Sequence, residues 1–144
     1  KYNFILKDYK FKKNNKERKY DFVIYYRKNS KLKKNYIYNL IYLLIGQKFK
    51  IVVIGDKINF KKIKNMGYMP RSKTQKIISE THYAIANPEN LFSYFVQDCL
   101  SVKVRVFYNH FFKKYNIFNL KLMIPIYFKS YSEDFSIIMK SIRK

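Results

Sequence analysis

The sequence predicts an α/β fold, a three-layer α/β/α arrangement around a mostly parallel sheet of about six strands. Three observations predict it. Short continuous apolar runs, such as Phe22-Val23-Ile24-Tyr25-Tyr26 and Ile51-Val52-Val53-Ile54, have the form of strands buried on both faces. Between the runs lie segments whose apolar residues recur at helical spacing. The chain has 144 residues, one domain's worth, and 48% of them are hydrophobic, enough to fill a core on both sides of a sheet and to exclude a disordered chain.

Residues 1–20 are basic and broken by Asn14-Asn15, and they read as a linker or amino-terminal extension with a short strand at Phe4–Leu6. The first strand follows at Phe22–Tyr26, then a basic loop from Arg27 to Lys34. Ile37, Leu40, Ile41, Leu44 and Ile45 form one helical face, with Gly46 as the stop. Ile51–Ile54 is the second strand, closed by Gly55, and Met66–Met69 is a third, ended by Pro70. Ser72 with Gln75 three places on is a capping-box pattern for a helix carrying Ile77 and Ile78. Tyr83–Ala86 is a fourth strand, and Asn87–Asn90 a turn. Leu91, Phe92, Phe95, Val96, Cys99 and Leu100 lie on a further helical face. Val104–Phe107 and Leu120–Phe128 complete the strands, Pro125 marking the last as an edge or shortened strand. Ser132, with Glu133 and Asp134, caps a final helix that ends in Lys140, Arg143 and Lys144, where cations suit its dipole. This alternation is Rossmann-like. Ligands of such sheets bind beyond the carboxyl ends of the strands, which directs attention to 27–35, 55–57, 67–72, 87–92 and 108–110.

Lys and Arg number 31 and Asp and Glu 9, a net charge of +22. A nucleic acid or an anionic membrane is the first partner such a charge suggests. Only five of the basic residues are Arg, however (Arg18, Arg27, Arg71, Arg105 and Arg143), and phosphate and base recognition leans on Arg forks. An excess of Lys, Asn, Ile, Tyr and Phe also follows from AT-rich codons. The charge gathers in 1–34, 57–64 and 113–129, and 81–102 contains no Lys or Arg. Cys99 is the single cysteine, which excludes an internal disulfide and a cysteine zinc site and suits a reducing compartment. No apolar run approaches the ~20 residues of a transmembrane helix.

Arg27 and Lys28 follow the first strand, and Lys33-Lys34-Asn35 open the first helix. Basic side chains beside unpaired helix-start N–H groups make a seat for a diphosphate, or else a solvated loop. Glu89 and Asp98, in the least basic stretch, suit hydrogen bonds from sugar or ribose hydroxyls, or else ordinary helix-start chemistry. His82 and His110 lack metal-ligand spacing and read as structural, and Cys99 as a small core residue. There is no G-x-G-x-x-G and no P-loop.

Across 21–128 the order of features resembles the carboxyl-terminal half of the GT-B glycosyltransferases of group 1 type. DFVIYYRKNSKLKKN (21–35) is similar to that half's first strand and basic loop, and IVVIGD (51–56) to its second strand. MGYMPRSKTQKIISETHYAIANPEN (66–90) resembles its glycine, short strand, helix, strand and Glu-containing turn. LFSYFVQDCLSVKVRVFYN (91–109) resembles the helix carrying the second acid and the strand after it. The family's two acids are separated by seven residues. Here Glu89 has Gln97 eight places on, and Asp98 has Asn90 eight places before it, so Asp98 aligns with the second acid and either Glu89 or Asn90 with the first.

The resemblance implies a nucleotide-diphosphate-sugar donor and transfer of a hexose to a glycan or lipid-linked acceptor, as in bacterial polysaccharide biosynthesis. It implies that Arg27 and Lys33 or Lys34 neutralise the diphosphate leaving group, and that Gly67, Tyr68 and Met69 border the base. Glu89 or Asn90, with the N–H groups of Leu91 and Phe92, would hold sugar and phosphate, and Asp98 the ribose. No metal or other cofactor is implied, since basic residues and helix starts replace it. The acceptor site and any catalytic base belong to an amino-terminal half, so this stretch is expected to bind donor and to be inactive alone. The expected location is cytoplasmic, either free or at the inner face of the plasma membrane. Anionic membrane contact is a further expectation, and a nucleic-acid-binding module is the alternative function.

Overall fold

The computed structural model describes residues 18–28, 32–33, 35–89, 93–115 and 121–142. Along these the chain forms β1 (Tyr20–Tyr26), α1 (Tyr36–Gly46), β2 (Ile51–Gly55), β3 (Lys64–Gly67), α2 (Arg71–Ser79) and β4 (Thr81–Ile85). It continues with α3 (Tyr94–Ser101), β5 (Arg105–Asn109), a 3-10 segment (His110–Tyr115), β6 (Met123–Ile126) and α4 (Tyr131–Ile142). The six strands make one sheet in the order β3-β2-β1-β4-β5-β6, and every neighbouring pair is parallel. The predicted Rossmann-like α/β/α fold is therefore present.

Side-chain alternation along the strands builds two cores. Val23, Val52, Ile54, Ala84, Val106 and Tyr108 point to one face, where Ile77 and Ile78 of α2 and Phe95, Val96 and Cys99 of α3 pack on them. Phe22, Ile24, Ile51, Val53, Ile85 and Phe107 point to the other, under Leu40, Ile41 and Leu44 of α1 and Ile138 of α4. All five residues of β2 are buried, which explains its unbroken apolar run. Each fully buried aliphatic or Phe side chain contributes roughly 1.5–3 kcal/mol.

Several boundaries differ from expectation, each for a local reason. The third strand begins at Lys64, two residues before Met66, because it is an edge strand with no buried residue to mark it. Its crossover from β2 has no helix. Asn65 braces it instead, accepting from the Ile58 N–H and donating to the Ile58 carbonyl, both at 2.9 Å. Gly46 lies inside α1, and the left-handed turn after the helix falls on Lys48 (φ 65°). Ser72 does not cap α2. That helix starts at Arg71 after Pro70 without a side-chain cap bond, and Gln75 turns to Asp98. The helix expected from Leu91 starts at Tyr94, capped by Ser93, whose Oγ accepts from the Val96 N–H. Ser130 rather than Ser132 accepts from the Glu133 N–H at the start of α4. The last strand is confined to Met123–Ile126 and lies at the sheet edge, with Pro125 beside Tyr108.

The expected strand at Phe4–Leu6, Arg143 and Lys144 lie outside the described residues. At the inner end of the expected linker, Arg18 donates to the Thr81 carbonyl, Lys19 pairs with Glu80 at 3.0 Å, and Tyr20 already belongs to β1.

Candidate functional site

The chain lays β2 and β3 on one side of β1, and β4, β5 and β6 on the other. The order reverses between β1 and β4, and the carboxyl ends of the strands at such a reversal are where parallel sheets of this kind form their ligand-binding crevice. The residues that end these strands form the candidate site.

On the β1 side the backbone is fastened to β2. The Asp56 N–H donates to the Tyr26 carbonyl at 2.9 Å, and the Asp56 carboxylate accepts from the Lys28 N–H at 2.7 Å. Gly55 permits this approach: its φ is +101°, and a Cβ there would lie 2.3 Å from the Tyr26 oxygen. The Tyr68 hydroxyl also engages Asp56. Partial desolvation and Asp56 raise its pKa, while nearby Arg27 pulls it down. Lys28, Asp56 and Tyr68 thus meet across the ends of β1, β2 and β3, with Arg27 near enough for its charge to act on the Tyr68 hydroxyl. Gly67 is left-handed (φ +72°) with open space around it, and Met69 packs against the core. Lys33 is exposed, and its carbonyl accepts from the Tyr36 N–H at 3.0 Å as α1 begins. That helix has no side-chain cap bond and no acid in its first turn, an arrangement receptive to an anion.

On the β4 side, Asn87 is buried, 5% exposed, two residues beyond the strand. Its Oδ1 accepts from the Glu89 N–H at 2.9 Å, which fixes which end of the amide is which. Its Nδ2 is buried and has no hydrogen-bond partner among the described residues. A buried unpaired donor costs about 1–3 kcal/mol, a cost that an acceptor arriving on a ligand or water removes. Asn109, ending β5, donates to the Pro88 carbonyl at 2.9 Å and ties the two turns together. Beyond them lies a cleft of about 790 Å³ bordered by Glu89, Asn109, His110, Tyr127 and Lys129, with the His110 and Tyr127 rings stacked 4.6 Å apart.

The structure sets Arg27, Lys33, Gly67, Tyr68 and Glu89 at the same, carboxyl edge of the sheet. Lys34, Asn90, Leu91 and Phe92 lie outside the described residues. Asp98 departs from its expected role. Its side chain is 1% exposed, and Arg71 grips it with Nε at 3.1 Å and Nη2 at 2.8 Å, while Gln75 donates at 3.3 Å. Arg71 also lies 4.1 Å over the Tyr94 ring. Asp98 is a clamp between α2 and α3, with its oxygens already occupied, and presents no open acceptor to a ribose.

Asp134 is a second buried acid. It accepts from the Tyr36 hydroxyl and from the N–H groups of Tyr127 and Phe128, both at 2.8 Å, fastening α4 to α1 and to the turn after β6. Cys99 is fully buried in the core, and burial and then Asp98 push its thiol pKa well up. His82 is exposed on β4, away from the carboxyl edge. Among the described residues no three His, Cys, Asp or Glu side chains gather where they could hold a metal.

Asp56, Asn87 and Asn109 fall within the segments 55–57, 87–92 and 108–110 that follow strand ends, though no motif marks them individually. Their signal was positional, since each stands at or just past the end of an apolar run. No protein-family model matches the chain, and no curated protein matches it.

Proposed function

We propose that this chain is a donor-binding domain of a GT-B-type glycosyltransferase and seats a nucleotide-diphosphate sugar in the crevice between β1 and β4. One observation carries the reading. The cationic turn after β1, held by Asp56, and the turn after β4, with the unpaired Asn87 Nδ2, flank the reversal of strand order. The sequence resemblance over 21–128 points to the same class of ligand.

In this reading Arg27 and Lys33, beside the uncapped start of α1, receive the diphosphate. Neutralising it lowers the energy of the transition state, because negative charge grows on the diphosphate as its bond to the sugar breaks. Tyr68 and Gly67 border the nucleoside, and Glu89 accepts from sugar hydroxyls. Asp56 acts one step back, by holding the turn that carries Arg27. The acceptor and any base that deprotonates it come from a partner half, so the domain alone binds donor without turning it over.

Calorimetric titration with UDP-, GDP- and ADP-sugars tests this. Saturable binding to one of them, weakened roughly 10-fold or more by Arg27→Ala, is expected, since a hydrogen bond to a charged group is worth about 1.5–3 kcal/mol. Absence of binding to every nucleotide, with salt-steep binding of DNA or RNA, would favour the nucleic-acid function instead.

A further inference from the structure

We propose that the opposite, amino-terminal edge of the sheet is a docking surface for an anionic lipid bilayer. Lys48, Lys50, Lys61, Lys62 and Lys64 are all exposed there. They border two adjoining shallow concavities beside the starts of β1, β2 and β3, and no Asp or Glu lines either one. Of the acids at this edge, Asp21 on β1 accepts from the Lys50 backbone N–H at 2.8 Å, and Glu80 pairs with Lys19 at 3.0 Å. The two ion pairs among the described residues involve Lys19 and Arg71, so none of these five lysines is paired.

A helix end does not explain the cluster. Cations near the last turn of α1 gain from its dipole, but only within about one turn, and Lys61, Lys62 and Lys64 belong to the crossover and to β3. Apolar groups accompany the charge. Tyr42 is 69% exposed, and Ile45 and Phe60 are half-buried on the walls of the same concavities. Binding at a bilayer interface strengthens with the apolar area buried and with electrostatic attraction to anionic lipids, and this edge offers a contribution to each.

The residue types favour a lipid surface over a nucleic acid. The patch has no Arg fork, and Tyr42 is its one strongly exposed ring, whereas single-stranded nucleic acid is held by successive stacking faces. Lysine ammonium groups instead serve as point charges in the diffuse field of anionic headgroups. Docking at this edge leaves the crevice at the carboxyl edge facing solvent, and the inference is independent of the donor-binding proposal.

Co-sedimentation with vesicles tests it, using phosphatidylcholine alone and phosphatidylcholine mixed with phosphatidylglycerol. The full chain should pellet with the mixed vesicles only. About 1 kcal/mol per surface-bound lysine is roughly fivefold in partitioning, so the triple variant Lys48→Gln, Lys61→Gln, Lys62→Gln should partition ~100-fold less. A matched triple, Lys73→Gln, Lys76→Gln, Lys113→Gln, removes equal charge elsewhere and should retain most of the binding. Tyr42→Ser should weaken binding without changing its salt dependence. Circular dichroism verifies that each variant is folded. Equal loss in both triples would overturn the proposal by assigning attraction to net charge. Equal pelleting with neutral vesicles would overturn it too, as would oligouridylate binding through these lysines without vesicle binding.

Discussion

Asp98 and Arg71 supply a prediction whose sign and size both follow from burial. The carboxylate is 1% exposed and the guanidinium side chain 39% exposed. Removing Arg71 strands a buried anion with Gln75 as its remaining side-chain donor, whereas removing Asp98 leaves a cation that water can reach. Breaking a buried pair from the costly side takes about 3–5 kcal/mol. Arg71→Ala also loses the contact over Tyr94, worth ~0.5–1 kcal/mol at an exposed ring. Asp98→Ala, with its partner rehydrated, should cost less, about 2–3 kcal/mol. The double variant should be less destabilised than the sum of the singles, with a coupling of at least ~1 kcal/mol. Urea unfolding followed by far-UV circular dichroism measures all three, and the chain's tyrosines provide a second probe. An Asp98→Ala cost equal to or above that of Arg71→Ala would show that the buried carboxylate does not set the asymmetry, and additive singles would show that the pair is not coupled. Donor titration of Asp98→Asn adds a separate check: a clamp loses stability first, whereas a ribose ligand would lose affinity at full stability.

Gly55→Ala should destabilise by about 3 kcal/mol or more, because it combines a left-handed φ with a Cβ 2.3 Å from the Tyr26 oxygen, while Gly46→Ala, with nothing within 4 Å, should be neutral or stabilising by up to ~1 kcal/mol in thermal unfolding. Asp134→Ala should cost about 3–5 kcal/mol, since the Tyr36 hydroxyl and two backbone N–H groups lose their acceptor, and an unfolding midpoint like that of the parent chain would contradict this. Although exposed, His82 is partly desolvated, and this and then Arg18 lower its pKa, against Asp21. The unfolded state then binds more protons than the folded state below about pH 6.5, so stability should fall as pH drops through that region. His82→Asn should flatten that part of the pH profile, and an unchanged slope would argue against it.

How much of this was legible in the sequence depended on burial. β1 and β2 lie mid-sheet under both cores, and their continuous apolar runs displayed that directly. α1 showed its buried face through regular spacing. β3 left a weak trace because its four residues, Lys64–Gly67, are exposed or half-buried. The capping-box reading at Ser72 failed because Gln75 has a better partner, Asp98, 23 positions away and visible only once α2 and α3 pack together. The same packing took Asp98 from the site: the partner that occupies it, Arg71, is 27 residues distant. That Arg27, Lys33 and Glu89 stand beyond strand ends was legible because the alternation of strands and helices already located those ends. Asp56 adjoined Gly55 in plain view, but its role depends on Lys28 coming within 2.7 Å, a consequence of the β1–β2 register in which Tyr26 lies beside Gly55.

Under the proposed function, the crevice between β1 and β4 holds a nucleotide-diphosphate sugar. Amide chemical-shift mapping of the isotopically labelled chain, titrated with UDP-, GDP- and ADP-sugars, tests it most directly. Saturable shifts are expected at Arg27, Lys28, Asp56 and Glu89, together with the Asn87 side-chain amide, whose donor would gain its acceptor. Shifts confined to other surfaces, or an unchanged spectrum with every donor, would contradict it.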